Sequence, residues 1–232
     1  MTDLNKNSWE SFNTKLIECR TCPRLVSWRE KVSKEKRRAY LKCNYWGKPV
    51  PGFGDRNAKI LVLGLAPGAH GSNRTGRMFT GDASGDFLFP ALYEAGLSTK
   101  QISISSQDDL SLINLFITAV CRCAPPGNKP TNEEQINCRK YLITEMELLD
   151  NLEGIIALGS IAFKNAFDIL KDIYAIQSTR RPKFEHGKLY RWEASPIWLL
   201  SSYHPSRQNT QTGRLTKDMF GHIWFQANQL LK

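Results

Sequence analysis

Four short, nearly unbroken apolar runs punctuate the chain, at 59–66 (KILVLGLA), 112–120 (LINLFITAV), 152–159 (LEGIIALG) and 197–202 (IWLLSS). Continuous runs of this length, rich in β-branched residues, suit parallel strands buried on both faces. Helical patterning alternates with them, at 86–95, 132–149, 160–170 and 224–231. The order β, α, β, α, β, α, β, α predicts an α/β fold, a three-layer α/β/α sandwich around a central four-stranded parallel sheet. Ligands of such sheets bind outside the carboxyl ends of the strands. The helix at 132–149 has a marked start: Thr131 can cap it and Glu134, three residues on, completes a capping box after Pro130. The stretch 171–194 is weakly patterned, with room for a hairpin around His186 and Gly187. The first 55 or so residues read as helix and then as a Gly- and Pro-rich loop (YWGKPVPGFGD). They are expected to pack on the sheet, so that residues 1–232 form one domain.

Composition sharpens this picture. A 232-residue chain suits one α/β domain. Its apolar runs fall far short of the ~20 residues that cross a bilayer. The polar start, MTDLNKNSWE, carries no apolar signal segment, which predicts a cytoplasmic protein with no membrane partner. A formal net charge of +10 points to a polyanionic partner. The densest basic run, 29–42 (REKVSKEKRRAYLK), has seven Lys or Arg among 14 residues and reads as a solvated helix face.

Six cysteines, at 19, 22, 43, 121, 123 and 138, without a secretion signal argue against a disulfide framework. Cys19 and Cys22 form a C-x2-C pair, while Cys123 and Cys138 stand 14 residues apart. Four thiolates from two distant segments suit zinc or an iron–sulfur cluster, and the wide second pair, unlike a zinc knuckle, favours a cluster. Cys121 competes with Cys123 for the third position. Cys123 lies further out, beside the Pro-rich turn, where it can more easily reach a centre outside the sheet. Cys43 and Cys121 are then packing residues.

The first strand runs straight into GLAPGAHGSNRTGRMFTGD, residues 64–82. Its small residues allow a ligand close to the backbone. The Gly-Lys-Ser/Thr that closes a triphosphate loop is missing, with Arg74 and Arg77 in its neighbourhood instead, which argues against nucleotide hydrolysis. Phe79 can stack on a flat base. At the end of the last strand, Ser202-Tyr203-His204-Pro205-Ser206-Arg207 would carry His204 to the carboxyl edge beside this loop. Ser206 can offer its hydroxyl or its backbone N–H to a phosphate, and Arg207 adds charge.

Together these stretches resemble the uracil-DNA glycosylase superfamily, in particular its family 5 of bacterial and archaeal enzymes. The resemblance is carried by GLAPGAHGSNRTGRMFTGD at 64–82, RCAPPGNKPT at 122–131, YHPSR at 203–207 and YWGKPVPGFGD at 45–55, and spans most of the chain from about Cys19 to Arg207. It implies a DNA repair enzyme, a monofunctional glycosylase that flips a damaged base out of double-stranded DNA, hydrolyses its N-glycosidic bond and leaves an abasic site. It also implies a [4Fe–4S] cluster of mainly structural role on Cys19, Cys22, Cys123 and Cys138.

Several other families of the superfamily carry Asp, Asn or Glu at the position of Ala66. The resemblance leaves His204 to stabilise the departing base, Asn73 to orient water, and Asn128 to line the pocket or hold water. Some relatives carry Asp where Asn73 stands, and an amide can orient water but is no useful general base. Ala66, Pro67, Gly68 and Phe79 would wall the base pocket. Arg74, Arg77, Ser206, Arg207 and Arg214 would meet the DNA, with Lys217 nearby and a wedge on the loop after Tyr203. A pocket with few fixed polar groups rejects alternatives weakly, so hypoxanthine and xanthine are expected substrates beside uracil. A monomer is expected. The competing readings are a non-catalytic iron–sulfur DNA-binding module and an iron–sulfur redox protein.

Overall fold

The computed structural model describes residues 3–178 and 180–231. The sheet is mixed and six-stranded, in the order β1-β3-β2-β4-β6-β5. This corrects the expected four-stranded, all-parallel sheet by adding two edges. The inner strands are β2 (Ile60–Gly64), β3 (Leu115–Ala119), β4 (Gly154–Leu158) and β6 (Ser195–Ser202). They pair in parallel, β3 with β2, β2 with β4 and β4 with β6. The two-residue strand β1 (Phe53–Gly54) and β5 (Leu189–Trp192) pair antiparallel at the two edges. Neither edge has an unbroken apolar run, because each buries only part of its surface. The turn joining β5 to β6 lies at Glu193 and Ala194, not at His186 and Gly187, which form a separate turn just ahead of β5.

Alternation along the buried strands builds two apolar cores. Leu61, Leu63, Phe116, Ile155 and Leu199 point to one face, where they meet Trp9, Leu142, Phe163 and Phe167. Ile60, Val62, Ile117, Ile156 and Leu200 point to the other, against Leu88, Phe89, Phe220 and Trp224. The first core is covered by α1 (Asp3–Ile17), α5 (Asn132–Leu148) and α6 (Ser160–Ile173), the second by α4 (Ala83–Glu94) and α8 (Lys217–Leu230). The period of two in each strand therefore sets the layering.

Caps place the helix starts. The capping box of Thr131 and Glu134 is present at α5. Thr216 accepts from Met219 N at 3.2 Å, so α8 starts seven residues before the apolar run at Trp224 suggests. Asp82 accepts from Ser84 N and Gly85 N, both at 3.1 Å, and starts α4 ahead of residue 86. No helix among the described residues is long and apolar enough to cross a membrane.

Candidate functional site

The carboxyl ends of the four parallel strands share one edge. The loop after β2 (64–82), the turn after β3 and the segment after β6 (203–207) leave from it. The loop after β2 is a folded unit built around the short helix α3 (Ser72–Thr75). Asp82, which caps α4 through Oδ1, extends Oδ2 beneath the loop. A Cβ on Gly71 would lie 2.1 Å from that oxygen, so only glycine closes the loop over the carboxylate. Burial pushes the Asp82 carboxyl pKa upward.

Phe79 is buried and holds a left-handed backbone at φ +53°. That conformation is unusual for a bulky side chain and marks stored local strain. Its ring covers Gly64, where a Cβ would come within 2.9 Å of Cζ. It also faces His204, with ring centroids 5.9 Å apart and planes tilted by 29°. The fold thus brings together a phenylalanine and a histidine that lie 125 residues apart in the chain.

His204 is half-buried, and desolvation holds its pKa down to about 4, so the ring is neutral at physiological pH with a single N–H to give. Its backbone is fixed by Asn209, whose Nδ2 donates to His204 O at 2.8 Å. Ser206 caps α7 (Arg207–Gln211), its Oγ accepting from Asn209 N at 3.4 Å. Arg207 and Arg214 are exposed, and the Arg214 guanidinium lies 4.7 Å over the Tyr203 ring.

Asn73 is fully buried in α3. Its Nδ2 donates to Arg29 O at 3.3 Å and to Ala69 O at 3.4 Å, while its Oδ1 has no partner. A buried acceptor without a donor is costly and fits a position that receives a bound molecule. Ala66 and Gly68 are half-buried and Pro67 is buried in the backbone leading to this residue. Asn128 sits apart from these groups, exposed on the turn Pro126–Asn128 with φ +57°.

Two of the expected DNA contacts turn inward. Arg77 is buried, with its guanidinium on Asp108 at 2.6 Å, Ser103 at 2.5 Å and Thr80 at 3.0 Å. With its charge committed to the half-buried Asp108 carboxylate, it has no free face for a phosphate. Arg74 donates to His70 O at 2.7 Å and to Gly81 O at 3.2 Å, and lies 4.1 Å over the Tyr40 ring. Both arginines brace the loop.

Cys19, Cys22, Cys123 and Cys138 line one cavity together with Leu25, Tyr141 and Asn137. Cys19 and Cys22 come from the link between α1 and α2 (Pro23–Glu35), Cys123 from the turn after β3 and Cys138 from α5. Cys121 lies outside this lining, in the core. Among the described residues no three His, Cys, Asp or Glu side chains stand close enough to hold a single ion. A larger group that spans the cavity suits the four sulfurs better.

Arg29, only 2% exposed, supports this fit. It donates to Cys123 Sγ at 2.8 Å and to Cys19 O at 3.1 Å, and among the described residues its Nε has no partner and no carboxylate bridges it. A buried guanidinium of this kind calls for an anionic neighbour. Burial pushes the Cys123 thiol up to about 12 in spite of Arg29.

Sequence reasoning gave no role to Arg29, Asp82 or Asn209. Only Asp82 left a signal, as an Asp followed by Ala-Ser-Gly at a helix start. Arg29 was hidden inside a basic run.

An aromatic ring and a neutral imidazole meet at the carboxyl edge of the sheet, and four thiols line a cavity between the N-terminal helices, the turn after β3 and α5. The family profile described as "Uracil DNA glycosylase superfamily" matches residues 51–228, and the chain belongs to that superfamily. Its relatives narrow the branch. It is 51% identical over 221 residues to the type-5 uracil-DNA glycosylase of Thermus thermophilus, covering 95% of this chain and 97% of that one. The type-5 uracil-DNA glycosylase of Mycobacterium bovis is 47% identical, covering 94% and 80%. That of Pyrobaculum aerophilum is 43% identical, covering 93% and 90%.

Proposed function

We propose that the protein is a monofunctional DNA glycosylase of the type-5 branch, which excises uracil from DNA by hydrolysis and leaves an abasic site. The observation that carries this reading is the pairing of Phe79 with a neutral His204 in a chain about half identical to type-5 enzymes over nearly its whole length.

The N-glycosidic bond breaks with its electron pair passing to the base, while the sugar takes on oxocarbenium character. Phe79 stacks on the flipped base. His204 donates its N–H to a base carbonyl and stabilises the developing anion, as a fixed dipole in a site shielded from water. Its low pKa makes it a neutral hydrogen-bond donor rather than an acid. Asn73, anchored through Nδ2, uses its free Oδ1 to accept from a water and orient it toward C1′ of the sugar. An amide does not take the water's proton, which leaves to solvent once the C–O bond forms. Asn128, on the exposed turn Pro126–Asn128, lines the pocket or holds a water.

Ala66 contributes no polar group, so discrimination among bases is weak and hypoxanthine and xanthine are also released. Ser206, Arg207 and Arg214 meet the phosphates of a duplex, and the enzyme works as a cytoplasmic monomer. Cys19, Cys22, Cys123 and Cys138 hold a [4Fe–4S] cluster. It ties the N-terminal segment, through about residue 55, to the turn after β3 and to α5.

A panel of duplexes with uracil, hypoxanthine, xanthine or thymine opposite each base tests this reading, scored by free base and by abasic sites. Release of uracil and the two deaminated purines with thymine left in place is expected. DNA binding without any base release would favour the non-catalytic module. A colourless protein with stoichiometric zinc would remove the cluster.

A further inference from the structure

The segment from Lys36 to Lys48 leaves α2 and lies directly on the pocket loop. Trp46 N donates to Arg74 O at 3.0 Å and Gly47 N to Asn73 O at 3.1 Å. The Tyr45 hydroxyl meets His70 Nδ1 at 3.0 Å, and Tyr40 lies beneath Arg74. Burial, then the charges of Arg37 and Arg74, holds His70 below the ordinary imidazole range. The segment is therefore a fixed rim of the site, although the charge run alone reads as a solvated helix face.

Its exposed cations differ from the paired ones found at several other places on the surface. Arg20, Arg24, Lys59, Arg139 and Arg181 each have a carboxylate within salt-bridge distance. Among the described residues, Arg37, Arg38, Lys42 and Lys48 have none, and all four are exposed. Unpaired cations gathered at one rim of a pocket leave a positive field there. Leu41 stands among them, 58% exposed, with its backbone carbonyl held by Lys36 Nζ at 3.3 Å. An apolar side chain presented on a pinned backbone, with cations around it, matches what opens a base step while phosphates are held.

We propose that this rim is a second duplex-DNA contact of the enzyme, in which Arg37, Arg38 and Lys42 hold the phosphate backbone and Leu41 enters the base stack beside the extruded nucleotide. The proposal rests on the glycosylase reading above and adds to it a face that the strand-end loop does not supply. Exposed residues after β6, from Arg207 to Gly213, include no large apolar side chain. The division of labour follows: the strand-end segment brings His204 and nearby phosphate contacts, and the N-terminal rim brings the wedge.

The test measures affinity for a duplex bearing an abasic-site analogue across a salt series, using the full-length protein. Each lost phosphate contact lowers the slope of log K against log salt by about 0.9. The variant Arg37→Ser/Arg38→Ser/Lys42→Ser is expected to lose about two to three units of slope, and Arg38→Ser alone about one. Lys164→Ser/Arg191→Ser, on the exposed surface of α6 and β5, is expected to keep the wild-type slope. An unchanged slope in the triple variant overturns the proposal, as does an equal loss in the control. Should the triple variant fail to fold, the single variant decides.

For Leu41→Ser, single-turnover uracil release is expected to fall about tenfold on duplex and to stay unchanged on a single strand. Equal rates on duplex for variant and wild type remove Leu41 from the wedge role. A wild-type protein that binds the abasic duplex with the steep slope but releases no uracil defeats the catalytic reading and leaves the rim standing.

Discussion

The loop from Gly64 to Asp82 and the segment from Tyr203 to Arg214 share one edge of the sheet and use their arginines in opposite ways. In the first, Arg74 and Arg77 turn back into the protein, onto loop carbonyls and onto Asp108. In the second, Arg207 and Arg214 face solvent. One region uses its charge for shape and the other leaves it facing solvent. The difference is one of available partners. Asp108 is half-buried and accepts from Ile104 N, Ser105 N and Leu110 N, so it forms a preset anionic socket for Arg77. No such socket lies near Arg207. A rigid loop is what a base pocket needs if Phe79 is to keep its strained backbone and Asn73 its buried amide.

That contrast can be broken at several points. Arg77→Met should have the largest effect, a loss of about 3 kcal/mol, because it strands Asp108, whose carboxyl the guanidinium and backbone N–H groups hold well below the usual range. Urea unfolding measures this, and the salt slope of DNA binding should stay at the wild-type value. A stable variant with weakened DNA binding would make Arg77 a ligand contact after all.

The next effect comes from His204. In the folded state its pKa lies near 4, below the unfolded value of about 6.5. The unfolded chain therefore takes up a proton before the folded one does. This group makes stability fall with acid through the window from 6.5 down to 4, by about 2 kcal/mol between pH 7 and pH 5. The difference in unfolding free energy between wild type and His204→Gln, followed across that range, isolates it. A difference that does not vary with pH would place the imidazole in contact with solvent.

Smallest are the outward arginines. Arg207→Ala and Arg214→Ala should each change stability by less than about 0.5 kcal/mol while lowering the salt slope of DNA binding by about 0.9. Unchanged slopes would mean that the strand-end segment carries the histidine without gripping phosphate.

Legibility in the sequence followed burial. The four inner strands could be read because both of their faces are apolar, and their carboxyl ends pointed to the candidate site. The edges were missed because two residues of β1 carry no pattern and because β5 mixes Arg191 with Tyr190 and Trp192, whose rings pack on Phe163 and Phe167. The choice of Cys123 over Cys121 rested on distance from the strand; Cys123 lines the cavity while Cys121 lies in the core. The direction of Arg74 and Arg77 could not be read, since it depends on loop carbonyls and on an acid 31 residues away from Arg77. Arg29 was concealed for the same reason. Within a run of seven basic residues nothing distinguishes the one whose helix position turns it toward Cys123.

The central claim is that a neutral His204, facing Phe79 across the pocket, carries the departure of the base. Its most direct test is single-turnover uracil release from a duplex with one U, comparing wild type with His204→Ala at matched DNA occupancy. The account predicts that wild type converts uracil to an abasic site and that the variant does so about 10²-fold more slowly or worse, with binding nearly unchanged. Equal rates in the two proteins would contradict it.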